Sequence, residues 1–156
     1  MAKDPSEAPS SNEMRAFAYR LLGQREYSVV ELGRRLRQKW RAVPDIGAPV
    51  DELIETLLQE NLLSDERFTE SLVRSRLQRY QGPLKIKAEL RKRGISDAQI
   101  STQLEAHSGE WAEMAASWLQ RHHPVPLDFD TRKKYYRRLV SRGFTHDQAM
   151  QALDLI

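Results

Sequence analysis

Four histidines, twenty-two carboxylates and twenty-five lysines and arginines are the residues in this 156-residue chain with chemistry to offer. A zinc site of the His-Glu-x-x-His kind needs two imidazoles one helical turn apart. His107, His122, His123 and His146 do not supply it, because none has a histidine four residues on, and neighbouring side chains diverge on a helix. There is no cysteine, so disulfides, thiolate metal sites and cysteine nucleophiles are excluded together, and a reducing compartment is expected. The seven glycines form neither a phosphate-cradling Gly-x-x-x-x-Gly-Lys loop, nor a Gly-x-Gly-x-x-Gly turn, nor a Gly-x-Ser-x-Gly elbow. Acidic pairs such as Asp51-Glu52 and Asp65-Glu66 fall where first helical turns are expected, and stabilising the helix dipole accounts for them. The sequence therefore predicts a non-enzymatic protein with no cofactor and no metal.

The basic residues remain. Arg15 to Arg41 holds eight bases against Glu26 and Glu31, and Arg74 to Arg93 holds eight against Glu89 alone. Arg132 to Arg142 holds six and no acid, whereas Asp45 to Glu70 carries eight acids and a single arginine. A net charge of only +3 thus conceals strongly basic blocks, the footprint expected for a polyanion or an acidic protein surface. Trp111 and Trp118, with Ala115 between them, share one helical face and read as a core stripe. For Trp40, beside Lys39 and Arg41, packing and stacking on a ligand both stay open.

The elements that must position these charges are read from an internal repeat. Ile86 to Ser96 aligns without a gap on Tyr135 to Thr145, and Leu32 to Trp40 is a divergent third copy, giving a period of about fifty residues. In each full copy a glycine (Gly94, Gly143) ends one helix in a left-handed turn, and an apolar residue (Ile95, Phe144) folds back on it. Ser96 or Thr145 then caps the next helix, with Gln99 or Gln148 completing a capping box. Ser28 with Glu31, and Ser64 before Asp65-Glu66, repeat the device. The caps and a dominant apolar spacing of three and four predict helices over about 13–24, 29–40, 51–61, 65–80, 84–93, 97–106, 110–122, 131–142 and 146–155. No strand is expected. The fold class is all-α: three tandem three-helix (helix-turn-helix-like) repeats over 13–62, 63–107 and 108–156, preceded by a disordered tail over 1–12, in an elongated and curved molecule. No apolar run approaches the length of a membrane span, and residues 1–12 lack the apolar stretch of a signal peptide. The expected location is the cytoplasm.

On the helix from Leu84, Ile86 and Leu90 share the buried stripe, leaving Lys85 and Lys92 on one flank and Lys87 and Arg91 on the other. On the helix from Thr131, Tyr135 and Leu139 face inward, leaving Lys133, Lys134, Arg137 and Arg138 outside. Lys85, Lys87, Arg132, Lys133 and Lys134 all read as first-turn residues, where a positive charge opposes the helix dipole and so calls for another purpose. Arg74, Arg76 and Arg79 open the same basic block and join them as candidate partner- or DNA-binding residues.

The run Asn61-Leu62-Leu63-Ser64-Asp65-Glu66-Arg67-Phe68, followed by Gly82-Pro83, Ile86, Glu89-Leu90 and Arg93-Gly94-Ile95, resembles the signature of the RecX family, regulators of the bacterial RecA recombinase. The likeness extends from about Arg15 to Leu155. Ser64 stands where the family usually has the first of two aspartates, Thr69 where it has alanine, and Asn61 where glycine is common. A serine still caps the helix and an asparagine still tolerates a left-handed turn. The resemblance implies a non-catalytic, monomeric cytoplasmic protein that binds the RecA nucleoprotein filament along its groove and hinders its extension, lowering recombination and SOS output. It implies weak, non-specific binding of single- and double-stranded DNA, and no membrane. The competing reading is a helix-turn-helix transcription regulator, since Leu90 to Leu104 and Leu139 to Leu153 each read as two helices joined at a glycine turn. A regulator of that kind shows sequence preference of roughly a thousandfold or more.

Overall fold

A computed structural model describes residues 1–122 and 127–156. Among them the chain forms nine α-helices and no strand: α1 (Ser11–Gln24), α2 (Val29–Lys39), α3 (Gly47–Gln59), α4 (Asp65–Gln78), α5 (Pro83–Lys92), α6 (Asp97–Glu105), α7 (Trp111–His122), α8 (Phe129–Ser141) and α9 (His146–Asp154). The helix starts follow the hydroxyl and carboxylate caps. Ser28 and Thr145 form complete capping boxes with Glu31 and Gln148. Ser96 accepts from the Gln99 amide, while the Gln99 side chain turns to the Ser96 hydroxyl, so that box is half made. Ser64 accepts from the Arg67 amide at 3.2 Å. Gly94 and Gly143 have φ of 81° and 98°, and Asn61 turns left-handed at 57°, as their positions require.

Four starts precede the expected ones: α5 begins one residue early, at Pro83, and the other three are earlier by two to four residues, each for a local reason. Ser10 caps α1 through the Glu13 amide, bringing Ser11 and Asn12 into the helix. The Pro/Gly connection after Trp40 already winds at Gly47, so α3 gains a turn ahead of Asp51 with no side-chain cap. Asp128 caps α8 by accepting from the Thr131 amide at 2.7 Å, and the helix begins at Phe129.

The chain divides into two compact units. The first comprises residues 1–68 with the turn Arg93–Ile95; α2 packs on α1 and α3 around Met14, Ala18, Leu21, Tyr27, Leu32, Leu36, Val50, Leu57 and Leu63. Trp40 lies half-buried at the edge of this core, meeting the Phe17 ring edge-on at 5.5 Å, so one side of it packs as the first of its two readings expects. The second unit holds residues 69–92 and 96–156; α7 and α8 pack on α9, and α5 on α6. Its buried side chains include Ile86, Leu90, Ile100, Trp111, Leu119, Tyr135, Leu139 and Phe144. Trp111 belongs to the core as expected; Trp118 is half-buried and carries the Arg142 guanidinium 4.5 Å above its ring.

Candidate functional site: the basic faces of α5 and α8

Helix α5 starts at Pro83, whose fixed φ suits the first helical position and whose missing N–H costs nothing there. Ile86 and Leu90 are fully buried, which leaves Lys85, Arg91 and Lys92 exposed and Lys87 half-buried along the sides of the helix. Arg91 Nε lies 2.9 Å from Asp97 Oδ1, and its hydrogen bond holds that carboxyl below its ordinary range. Arg76 is committed more deeply. Its Nε and Nη2 donate to the two carboxylate oxygens of Glu89 at 2.8 and 2.5 Å, a bidentate pair that is only about a fifth exposed and fixes α4 to α5. That hydrogen bond holds the Glu89 carboxyl below its usual range against a desolvation that works the other way. Arg76 is thus a brace within this surface, whereas Arg74 and Arg79 expose their side chains.

On α8 the early start changes the meaning of the charges. With Phe129 at the first position and Asp130 beside it, Arg132, Lys133 and Lys134 fall in the second turn and not the first. The argument from helix-dipole opposition holds for Lys85 in α5 and fails for these three and for Lys87, because the dipole acts only within the terminal turn. Arg132 donates to the Leu153 carbonyl at 3.2 Å and to the Asp154 carboxylate at 2.5 Å. Lys133 rests its ammonium 4.4 Å from the Phe129 ring centre, and Arg138 lies 5.8 Å from the Tyr135 ring. Lys133, Lys134, Arg137 and Arg138 are all exposed.

What joins the two faces is a main-chain seam that the sequence pattern did not reveal. Gly82 N–H donates to the Arg142 carbonyl at 2.8 Å, and Leu84 N–H donates to the Gly143 carbonyl at 2.9 Å. The Arg142 guanidinium reaches back to the Tyr80 carbonyl at 3.0 Å and to that of Arg79, so the α4–α5 loop and the α8–α9 turn are bound from both sides. Arg142, at the C-terminal end of α8, is a partly buried clamp, and its desolvation lowers its pKa. Its signal was its repeat position, matching Arg93, whose guanidinium is likewise used internally, on Glu31.

The described histidines have separate partners. His107 pairs with Glu110 at 3.0 Å, His146 Nδ1 lies 2.8 Å from the Tyr136 hydroxyl, and His122 packs beside Trp118. His123 lies outside the described residues. Among the described residues, no group of three or more histidines and carboxylates is arranged to hold a metal ion, and no helix is long and apolar enough to cross a membrane.

Residues 64–104 match a family model described as RecX, second three-helix domain. A regulatory protein RecX of Chromohalobacter salexigens is 41% identical over 137 residues, covering 87% of this chain and 88% of its own. The chain belongs to the RecX family. A second RecX, of Halorhodospira halophila, is 37% identical over 150 residues, covering 94% and 91%. The crystal structure of RecX from Lactobacillus salivarius superposes with a TM-score of 0.76 at 24% identity, over 94% of this chain and 97% of that one, which supports the all-helical RecX fold. The matched residues 64–104 include the Ser64 cap, the Arg76–Glu89 pair and all of α5.

Proposed function

We propose that this RecX-family chain restrains a RecA-type recombinase by binding the recombinase–DNA filament and hindering its extension. In this reading it acts in the cytoplasm as a monomer without catalytic activity, and its three-helix repeats over 13–62, 63–107 and 108–156 follow the filament. The observation that carries the reading is a family likeness to regulatory RecX proteins along almost the whole chain. The unneutralised cations support it: Arg74, Arg79, Lys85, Lys87 and Lys92 near α5, and Lys133, Lys134 and Arg137 on α8, show no carboxylate within ion-pair distance among the described residues. Such cations suit the phosphates of a nucleoprotein filament or an acidic face of the recombinase. Weak binding to bare DNA of either kind follows from the same charges.

The test is RecA ATP hydrolysis and strand exchange on single-stranded DNA with substoichiometric amounts of this protein. Inhibition is expected. Full activity at all ratios overturns the proposal, and tight sequence-selective binding to duplex DNA instead identifies a transcription regulator.

A further inference from the structure

One face of α8 is unlike the others. Phe129, Lys133, Tyr136 and Arg137 line a shallow groove of about 400 Å³ closed on its far side by Met150 and Leu153 of α9. Phe129 is 72% exposed, although its three fellow phenylalanines are buried or half-buried, and shielding such a ring from water is favourable. The Tyr136 ring is held in place by its hydroxyl's approach to His146 Nδ1 at 2.8 Å.

We propose that this groove is a stacking subsite for an unpaired nucleobase, with the flanking phosphates held by Lys133, Lys134 and Arg137. Single strands are bound without sequence preference where exposed aromatic rings alternate with cations, because every base offers a π-face and every linkage a charge. Phe129 and Tyr136 provide the rings, seven residues apart on the same face of α8. The chemistry of the lining favours a nucleotide over a peptide. The lining holds no carboxylate, and its cations Arg132, Lys133 and Arg137 only donate hydrogen bonds, so a peptide's amide N–H groups would meet no side-chain acceptor in the groove beyond the Tyr136 hydroxyl, itself shared with His146. A nucleotide presents acceptors to those cations and a flat face to the rings.

This subsite deepens the reading of α8 as a nucleic-acid-facing surface, and it is tested without any recombinase. Binding of the full-length protein to fluorescent oligo(dT) is compared at low salt with binding to an abasic deoxyribose-phosphate oligomer of equal length. The intact protein should favour oligo(dT) by roughly tenfold or more. Phe129→Ala should abolish that preference while leaving abasic binding and the thermal midpoint unchanged, and Phe129→Trp should restore it. Lys133→Ala with Arg137→Ala should weaken both ligands. Equal affinity of the intact protein for the two oligomers, or a preference that survives Phe129→Ala, overturns the subsite. So does an acidic aliphatic peptide that competes at Phe129 when bases do not matter. Failure to inhibit RecA with the base preference intact would count against the proposed function alone.

Discussion

Arg93-Gly94-Ile95 and Arg142-Gly143-Phe144 occupy the same place in two copies of one repeat, and each ends a helix with a left-handed glycine. Their surroundings differ. Around Arg93 the partners are side chains: the Ser28 hydroxyl donates to the Arg93 carbonyl at 2.7 Å, Glu31 takes the Arg93 guanidinium, and Gly94 lies against Val30. Around Arg142 the hydrogen-bond partners are main chain, the Gly82 and Leu84 amides and the Arg79 and Tyr80 carbonyls, and a glycine lies face to face with another glycine. The same local code thus serves two kinds of junction. One can be altered by changing a neighbour's side chain, and the other cannot.

The sharpest way to break this contrast is at the glycines. A Cβ on Gly143 would sit 2.5 Å from Lys85 Cβ and 2.7 Å from Lys85 N, besides straining a φ of 98°. Gly143→Ala should therefore cost about 3 kcal/mol or more, seen as a lower urea midpoint, and trimming Lys85 to alanine should not help because the obstructing atoms remain. Gly94→Ala meets Val30 instead, with the Val30 Cβ 2.7 Å away and one of its methyls nearer still. Val30→Ala in that background should recover part of the loss. Equal behaviour of the two pairs would erase the distinction.

Glu31 is the next lever. It is buried, completes the Ser28 capping box, and receives both Arg25 and Arg93. Glu31→Ala should destabilise the protein by roughly 2 kcal/mol, because it removes half of a capping box together with the buried carboxylate that Arg25 and Arg93 share. Calorimetry showing a change within error would mean that the cluster is ornamental to the first unit.

A smaller effect is expected at the Arg76–Glu89 pair, in the second unit. The Glu89 carboxyl is depressed chiefly by its hydrogen bond from Arg76, so its contribution is fully present above the unfolded value near 4.5 and is lost as pH falls through the folded one. Glu89→Gln should lower stability by about 1 kcal/mol at neutral pH, with variant and parent converging in acid. Parallel stability curves across that window would contradict the assignment.

The smallest change in stability, and the largest in binding, belongs to the lysines of α5 and α8. Lys85→Ala with Lys87→Ala, or Lys133→Ala with Lys134→Ala, should leave the thermal midpoint within about 0.5 kcal/mol of the parent, as exposed substitutions usually do. Each pair should weaken binding to filament and single strand and flatten the salt slope by about 0.7 for every phosphate that is no longer neutralised. Unaltered binding with reduced stability would place the binding surface elsewhere.

The all-helical fold was legible because its punctuation is local. Ser28, Ser64, Ser96 and Thr145 each cap with their own side chains, and Gly94, Gly143 and Asn61 turn left-handed where a helix must stop. The α8 boundary was harder to read because Asp128 competes with the basic run for the start of the helix, and one carboxylate on an amide outweighs the charges that follow. The basic faces were visible as composition, but the difference between Arg76 and Lys85 was not. Whether a cation is spent on a carboxylate thirteen residues away depends on tertiary approach. Phe129 does not stand out among the binding residues in sequence for a related reason: only packing reveals that an aromatic residue has been left uncovered.

The Leu84 amide has a further meaning. An N–H in the first turn of a helix has no partner of its own and ordinarily exchanges with solvent as the end frays. Here that hydrogen is given to the Gly143 carbonyl, in the next copy of the repeat, so it becomes protected only while the α8–α9 turn is seated. In deuterium exchange, then, the protection of this single site keeps time for the undocking of a distant turn, and its rate should match that of Gly82 and not that of the helix it begins.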